Sequence, residues 1–336
     1  MRLFFVIAII GTIVSGLFFM VGSYAIDHYT GAVPGDQRFV VASGENALEL
    51  GGRLKESGIV FSQYAFLWHL SLEQKTHEII AGEYELSGSM TIPEIALIVT
   101  SGTTVSRDIR VTFPEGFTMR QMAERLTKLG LPGDDFLVLA EKPLPEWRKK
   151  YVFLADMPAG ATLEGFLFPD TYRFAPEATG TTIVTTLLDT FGRKYEGLAP
   201  RVKQSGKSFF SLLTMASIIE EEGRTADERA MISDVFWKRI TIGQALQSDA
   251  TVNYVHGTTR LQPTFDDINA DSPYNTYKYP GLPPGPISNP SLNSLEAAIT
   301  PKSNPYYYFL VSFKTGETVY ATTFEEHVRN RTLHGL

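Results

Sequence analysis

Leu3 to Ile26 is an unbroken stretch of 24 uncharged, mostly apolar residues, and it constrains this chain more than any other feature. At about 1.5 Å per helical residue it exceeds the roughly 30 Å of bilayer hydrocarbon, so residues 1–26 are expected to form a transmembrane anchor. A cleaved secretory signal fits less well. Its apolar core runs to roughly 7–15 residues, and Ser23-Tyr24-Ala25 makes a poor small-residue cleavage site. Arg2 precedes the span, whereas Asp27, His28 and Asp36 follow it. By the positive-inside rule the N-terminus stays in the cytoplasm and nearly the whole chain is exported. The lack of cysteine agrees with an oxidising compartment. Phe209–Ile219 is apolar but short, the length of a buried core helix.

Beyond the anchor, roughly 310 residues leave room for two domains. A net charge of −7 with 20% charged residues describes an ordinary globular surface, and no basic cluster points to nucleic acid. The acidic balance also disfavours polyanions held by charge alone, so uncharged or zwitterionic partners fit better. Aromatic residues make up 12% of the chain, which suits sugar-binding platforms as well as ordinary packing.

Residues 27–37, with Gly31, Pro34 and Gly35, read as a linker. The chain then repeats itself. Phe39–Gly44 followed by Leu48, Leu50, Arg53, Leu54, Gly58 and Ile59 matches Val111–Gly116 followed by Arg120, Met122, Arg125, Leu126, Gly130 and Leu131; 44 and 116, 53 and 125, 58 and 130 all differ by 72. Each copy predicts a short strand, a turn containing Gly, and an amphipathic helix stopped by Gly. Between the copies, Glu78–Leu86 predicts a strand, Pro93–Thr100 a helix capped by Thr91, and Thr104–Phe113 another strand. Residues 38–148 are therefore expected to form a LysM-like α+β region, which either displays a glycan groove or acts as a spacer. Residues 149–336, rich in Pro and Gly turns around well-marked helices, are expected to form a larger α+β domain.

The chemistry concentrates at the end of a helix over Ser208–Glu222, whose Phe209, Leu212, Leu213, Ala216 and Ile219 share one buried face. Glu220 continues a small and apolar stripe, Glu221 a wetter one, and helix angle alone leaves Glu222 open. The electronegative helix end, the adjacent carboxylates and a partly apolar setting all predict a raised carboxyl pKa, which a general acid requires. A solvated acidic helix end is the plainer alternative. There is no cysteine nucleophile, Gly-x-Ser-x-Gly elbow or metal-ligand spacing, so neither metal nor cofactor is expected. Thr225–Glu228 forms a capping box for the next helix. Gln247, Asp249 and Thr251 are expected on one side of an extended segment, and Tyr274-Asn275-Thr276-Tyr277 gathers rings and neutral donors suited to sugar hydroxyls.

At these residues the chain resembles the YceG-like family of membrane-anchored endolytic murein transglycosylases. The resemblance rests on Glu164–Tyr172, Ala216–Glu222, Glu228-Arg229, Leu246–Asp249, Thr251-Val252, Tyr274–Tyr277 and Gly281–Ile287 in order. It implies that Glu220 is the catalytic acid and base, that peptidoglycan glycan strands are the substrate, and that the enzyme works at the inner membrane beside peptidoglycan synthases. It also implies cleavage between N-acetylmuramic acid and N-acetylglucosamine to a 1,6-anhydro end, terminating strand elongation. Glu164, Asp170, Gln247, Asp249, Thr251 and Tyr274–Tyr277 form the candidate substrate-binding set. Glu164, Asp170 or Asp249 could instead serve as the second carboxylate of a hydrolase. The chain departs from the usual pattern with Glu221 for Lys, Gly223 for Thr, Lys238 for Asn and Ala250 for Pro. The added charge of Glu221 is expected to raise the pKa of Glu220 and the pH optimum, or, if it spoils the site, to leave an anchored glycan-binding scaffold.

Overall fold

The computed structural model describes residues 26, 31–32, 35–102, 108–258, 260, 263–312 and 314–334. Apart from Ile26, the expected anchor lies outside them. Among the described residues no helix is long and apolar enough to cross a membrane. The chain divides into two compact units, Met1–Arg107 and Asp108–Leu336. Residues 108–148 thus pack with the second unit, whereas the sequence pattern placed them with the first. That pattern read a repeat as one module, but its two copies seed separate cores.

In the first unit, β1 (Asp36–Val41) pairs antiparallel with β2 (Gly82–Ser87), with Phe39 opposite Tyr84. Between them run α1 (Ala47–Glu56) and α2 (Gln63–Leu72), and α3 (Ile92–Ser101) follows. Leu50, Leu54, Phe66, Leu70, Tyr84, Leu86, Ile95 and Val99 close one apolar core. The sequence pattern missed α2, because Tyr64, Ala65, Phe66, Leu67, Trp68 and Leu70 are apolar on every side and show no helical period.

The second unit opens with the same construction. β3 (Ile109–Thr112) leads to α4 (Met119–Lys128) and α5 (Gly133–Glu141), and after a short helix α6 (Pro145–Lys150) and a long loop it pairs antiparallel with β4 (Thr171–Phe174). The repeat is therefore structural. Asn46 and Thr118 form capping boxes with Glu49 and Gln121, and Gly58 and Gly130 both stop their helices at positive φ. Arg53 donates to the Val40 carbonyl at 2.8 Å and Arg125 to the Thr112 carbonyl at 2.6 Å.

Beyond β4 come α7 (Gly180–Ser205), α8 (Phe209–Glu222), α9 (Ala226–Thr241), α10 (Asp249–His256), α11 (Phe265–Asn269) and α12 (Leu292–Ile299). A hairpin of β5 (Tyr308–Val311) and β6 (Thr318–Ala321) and helix α13 (Phe324–His334) complete the unit. Helix α8 is its centre, packed by α12, α9 and α10. Of residues 209–219, only Ser211 is not buried.

Candidate functional site

A helix buried on all sides must satisfy its polar side chains internally. Thr214 Oγ1 donates back to the Phe210 carbonyl at 2.8 Å and Ser217 Oγ to the Thr214 carbonyl at 2.8 Å. Ser217 Oγ also accepts the Ile287 N–H at 3.0 Å, while Ser288 Oγ donates to the Ser217 carbonyl at 3.2 Å. These bonds strap the proline-rich loop 283–290 across α8, one turn before its acidic end. Gly165, at φ +88°, lets the loop after Leu163 approach, since a Cβ there would lie 2.7 Å from Pro286 and 3.1 Å from Leu213.

The tip of α8 then enters a polar notch. Glu220 has a side chain only 5% exposed. Its Oε1 accepts from the Arg229 guanidinium at 2.7 Å, and its Oε2 accepts from the Ser291 N–H at 2.8 Å and the Ser291 hydroxyl at 2.6 Å. Arg229 is itself braced by the Gly223 carbonyl at 3.1 Å and Ser291 Oγ at 3.3 Å. The apolar setting expected for Glu220 is thus replaced by an ion pair and two hydroxyl and amide donors. Arg229 entered the sequence argument only as a motif residue with no role and Ser291 not at all, because they reach the tip from the start of α9 and the N-cap of α12.

The opposite wall is the Gly116 turn of the second repeat. Gly116, at φ +77°, donates its N–H to the Asn289 carbonyl at 3.0 Å. A Cβ on it would lie 2.7 Å from Glu221 Oε1 and 3.7 Å from Glu220 Cγ. Next to it, Glu115 is raised above the ordinary carboxyl range by lost hydration and by the charge of Glu220, against the pull of Arg229. Glu221 is exposed as a residue, but its carboxyl end is crowded against Gly116. Burial of the carboxyl and the Glu220 charge push it up to about 7. Glu222 turns the other way, accepting from Ser248 Oγ at 2.6 Å, and burial with the charges of Asp249 and Glu221 pushes it up to about 7. The raised carboxyls predicted at this helix end are therefore found at Glu221 and Glu222.

The side-chain amide of Asn289 adds to the backbone bonds that hold the second repeat to the loop 283–290. Asn289 Nδ2 donates to the Phe117 carbonyl at 2.9 Å and to Glu164 Oε1 at 2.8 Å, and its Oδ1 accepts the Leu167 N–H at 2.9 Å. Glu164 also accepts the Met119 N–H at 2.9 Å, and complete burial pushes it up to about 8.

The profile of the YceG-like family matches residues 39–332. This chain belongs to the YceG-like family. An endolytic murein transglycosylase of Bacillus subtilis is 33% identical over 298 residues, spanning 85% of this chain and 81% of that protein. One from Streptococcus pneumoniae is 30% identical over 317 residues, 88% of this chain but 57% of that longer protein. The crystal structure of a YceG-like protein from Listeria monocytogenes, 31% identical, superposes with a TM-score of 0.62 over 88% of this chain and all of that one.

In this YceG-like chain the sequence-predicted binding residues separate by burial. Glu164 is 2% exposed and belongs to the Asn289 network. Thr251, Asn275 and Thr276 are buried as well. Thr276 Oγ1 accepts the Ser248 N–H and pairs with Thr251 Oγ1 at 2.8 Å, while Asn275 Nδ2 donates to the carbonyls of Ile268 and Ala270 at 2.9 Å. These four are buried and engaged in internal hydrogen bonds. The extended segment expected to align Gln247, Asp249 and Thr251 is instead a turn and a helix. Gln247 sits at φ +53°, and α10 begins at Asp249 and ends at Gly257 in the left-handed region. Asp249 accepts from the Tyr277 hydroxyl, and Tyr274 packs against Tyr254 with the rings tilted by 44° and their centroids 5.2 Å apart. Gln247, Asp249, Tyr274 and Tyr277 keep accessible surface, as does Asp170, which lines a groove with Arg110, Arg173 and Arg193.

Proposed function

We propose that this chain is an endolytic murein transglycosylase with Glu220 as its single acid and base. The observation that carries this reading is the engagement of both Glu220 oxygens by three donors at the inner end of a notch. A proton-carrying Glu220 would donate to the glycosidic oxygen between N-acetylmuramic acid and N-acetylglucosamine. Arg229 and Ser291 then stabilise the carboxylate that this donation creates, an interaction strongest once the bond has broken. The same carboxylate takes the proton of the muramic C6 hydroxyl as its oxygen closes on C1, leaving a 1,6-anhydro end without water. Gln247, Asp249, Tyr274 and Tyr277 offer donors and rings for the flanking sugars. Residues 3–26 would anchor the enzyme in the inner membrane with its two units outside the cytoplasm, beside peptidoglycan synthases, where cutting terminates strand elongation. The first unit supplies a LysM-like glycan contact or a spacer.

Glu115 favours one rival. Its carboxyl is close enough to sense Glu220, and a second carboxylate is what water-dependent glycosidases use. Mass spectrometry of the products separates the two, because an anhydro end is one water lighter than a reducing end. Glu220→Gln is expected to lower product formation by at least about a thousandfold while the protein remains folded. An unchanged yield removes Glu220 from the mechanism, and reducing ends alone replace the lytic route with hydrolysis.

A further inference from the structure

The outer face of the β3–β4 ladder carries charge that the fold does not balance. Arg110 and Arg173 are register partners on the two antiparallel strands, both are exposed, and neither makes an ion pair or side-chain hydrogen bond among the described residues. Like charges set directly opposite each other destabilise such a pair. Arg193 reaches the same groove from α7, where it shares one helical face with Thr186 and Thr190. The groove encloses about 530 Å³. Asp170 is its one acidic lining residue, and Asp170 Oδ1 is already taken by the Thr171 N–H at 2.7 Å.

The first repeat shows how the same position looks when it is balanced. Arg38 occupies the place of Arg110, but the residue opposite it is Glu85, and Glu83 Oε1 lies 3.9 Å from its guanidinium. In the second repeat the facing residue is another arginine. A chain of net charge −7 has acids to spare, yet none stands opposite Arg110 on the partner strand.

We propose that this groove binds the carboxylates of peptides carried by the glycan strand, an inference that rests on the murein reading above. Arginine's planar fork matches a carboxylate with two parallel bonds, and two guanidiniums held side by side gain most when an anion sits between them. The distance is suitable. Arg110 is six residues before Gly116, and a fully extended chain spans at most about 3.3–3.6 Å per residue, so the groove lies within about 20 Å of the notch at Glu220. A strand seated with its scissile bond at Glu220 carries a lactyl-linked peptide on each neighbouring muramic residue, and those peptides end in free carboxylates. The groove would thus orient peptide-bearing strands along the β3–β4 ladder.

The test uses the full-length chain in detergent micelles, acting on uncrosslinked strands that either carry their peptides or have been stripped of them by an amidase. Arg110→Gln with Arg173→Gln changes two exposed side chains and is expected to fold normally. In that variant KM for peptide-bearing strands should rise about tenfold, the effect of one charge-assisted bond, with kcat unchanged. KM for stripped strands should be the same in both proteins. About 0.5 M salt should abolish the wild-type preference. Equal KM values for the two wild-type substrates overturn the groove alone, and so does a variant that weakens both substrates alike. A wild-type chain that cuts neither strand overturns the murein reading beneath it.

Discussion

The two copies of the strand, turn and helix repeat differ in how their turns are closed, and this difference separates support from chemistry. In the first copy the closure is local. Glu45 accepts the Ala42 N–H at 2.8 Å and both oxygens meet Arg53 at 2.8 Å, all within one short stretch of chain. A Cβ on Gly44 would meet nothing within 4 Å. In the second copy Phe117 replaces Glu45, and the turn is closed by Asn289, far along the chain, through bonds to Gly116 and Phe117. A Cβ on Gly116 would strike Glu221. Substituting a long-range tie for a local one binds the turn to the loop that also strap-fastens α8, so the turn becomes one wall of the site.

That contrast predicts the largest effect at Asn289. Asn289→Ala leaves the Leu167 N–H without its acceptor and removes one donor from the fully buried Glu164, so it should cost the second unit about 3 kcal/mol. Glu45→Ala, on a local contact whose arginine is exposed, should cost the first unit about 1 kcal/mol. Urea titration read by hydrogen exchange reports the two units separately. Comparable losses would mean that the two turns are held alike.

The paired glycines sharpen the comparison at intermediate size. Both sit in the left-handed region, where a Cβ costs roughly 1–2 kcal/mol. Gly44→Ala and Gly116→Ala should therefore destabilise their units similarly. Only the second should slow cleavage, by about tenfold or more, because Glu221 must move out of the notch and Glu220 lies against the same point. Rates and stabilities measured on the same preparations decide it, and a Gly44→Ala chain with the same catalytic defect would break the distinction.

Much of this was legible in the sequence, and its failures share a cause. The helix over Phe209–Glu222, its caps, the repeat and its glycine stops all follow from periodicity and local side-chain bonding. The long-range ties do not. Arg229 stands in a family motif but nothing there pairs it with Glu220, Ser291 is unmarked, and Asn289 reads only as a loop residue before Pro290. Burial also reversed the meaning of polar residues: Glu164, Thr251, Asn275 and Thr276 look like ligands in a string but are internal scaffolding. The unit boundary was misplaced because a repeat invites joining its copies, whereas each strand found its partner in its own core.

The smallest effect is a titration. Glu221 is raised to about 7, so it gains its charge as pH rises through neutrality. Once it is charged it opposes loss of the proton that Glu220 must donate, so the wild type keeps more of its acid form as pH rises. Below about pH 6 Glu221 is neutral, and Glu221→Gln should cleave at the wild-type rate. Above pH 7 the glutamine variant should fall behind the wild type by up to about threefold to tenfold, the range expected for one neighbouring like charge. Gly44 has no carboxylate against it, so no substitution in the first turn should move this limb. Parallel pH–rate profiles for wild type and Glu221→Gln would show that the carboxyl at Gly116 is a bystander, and the second turn would then matter to the reaction only as a wall.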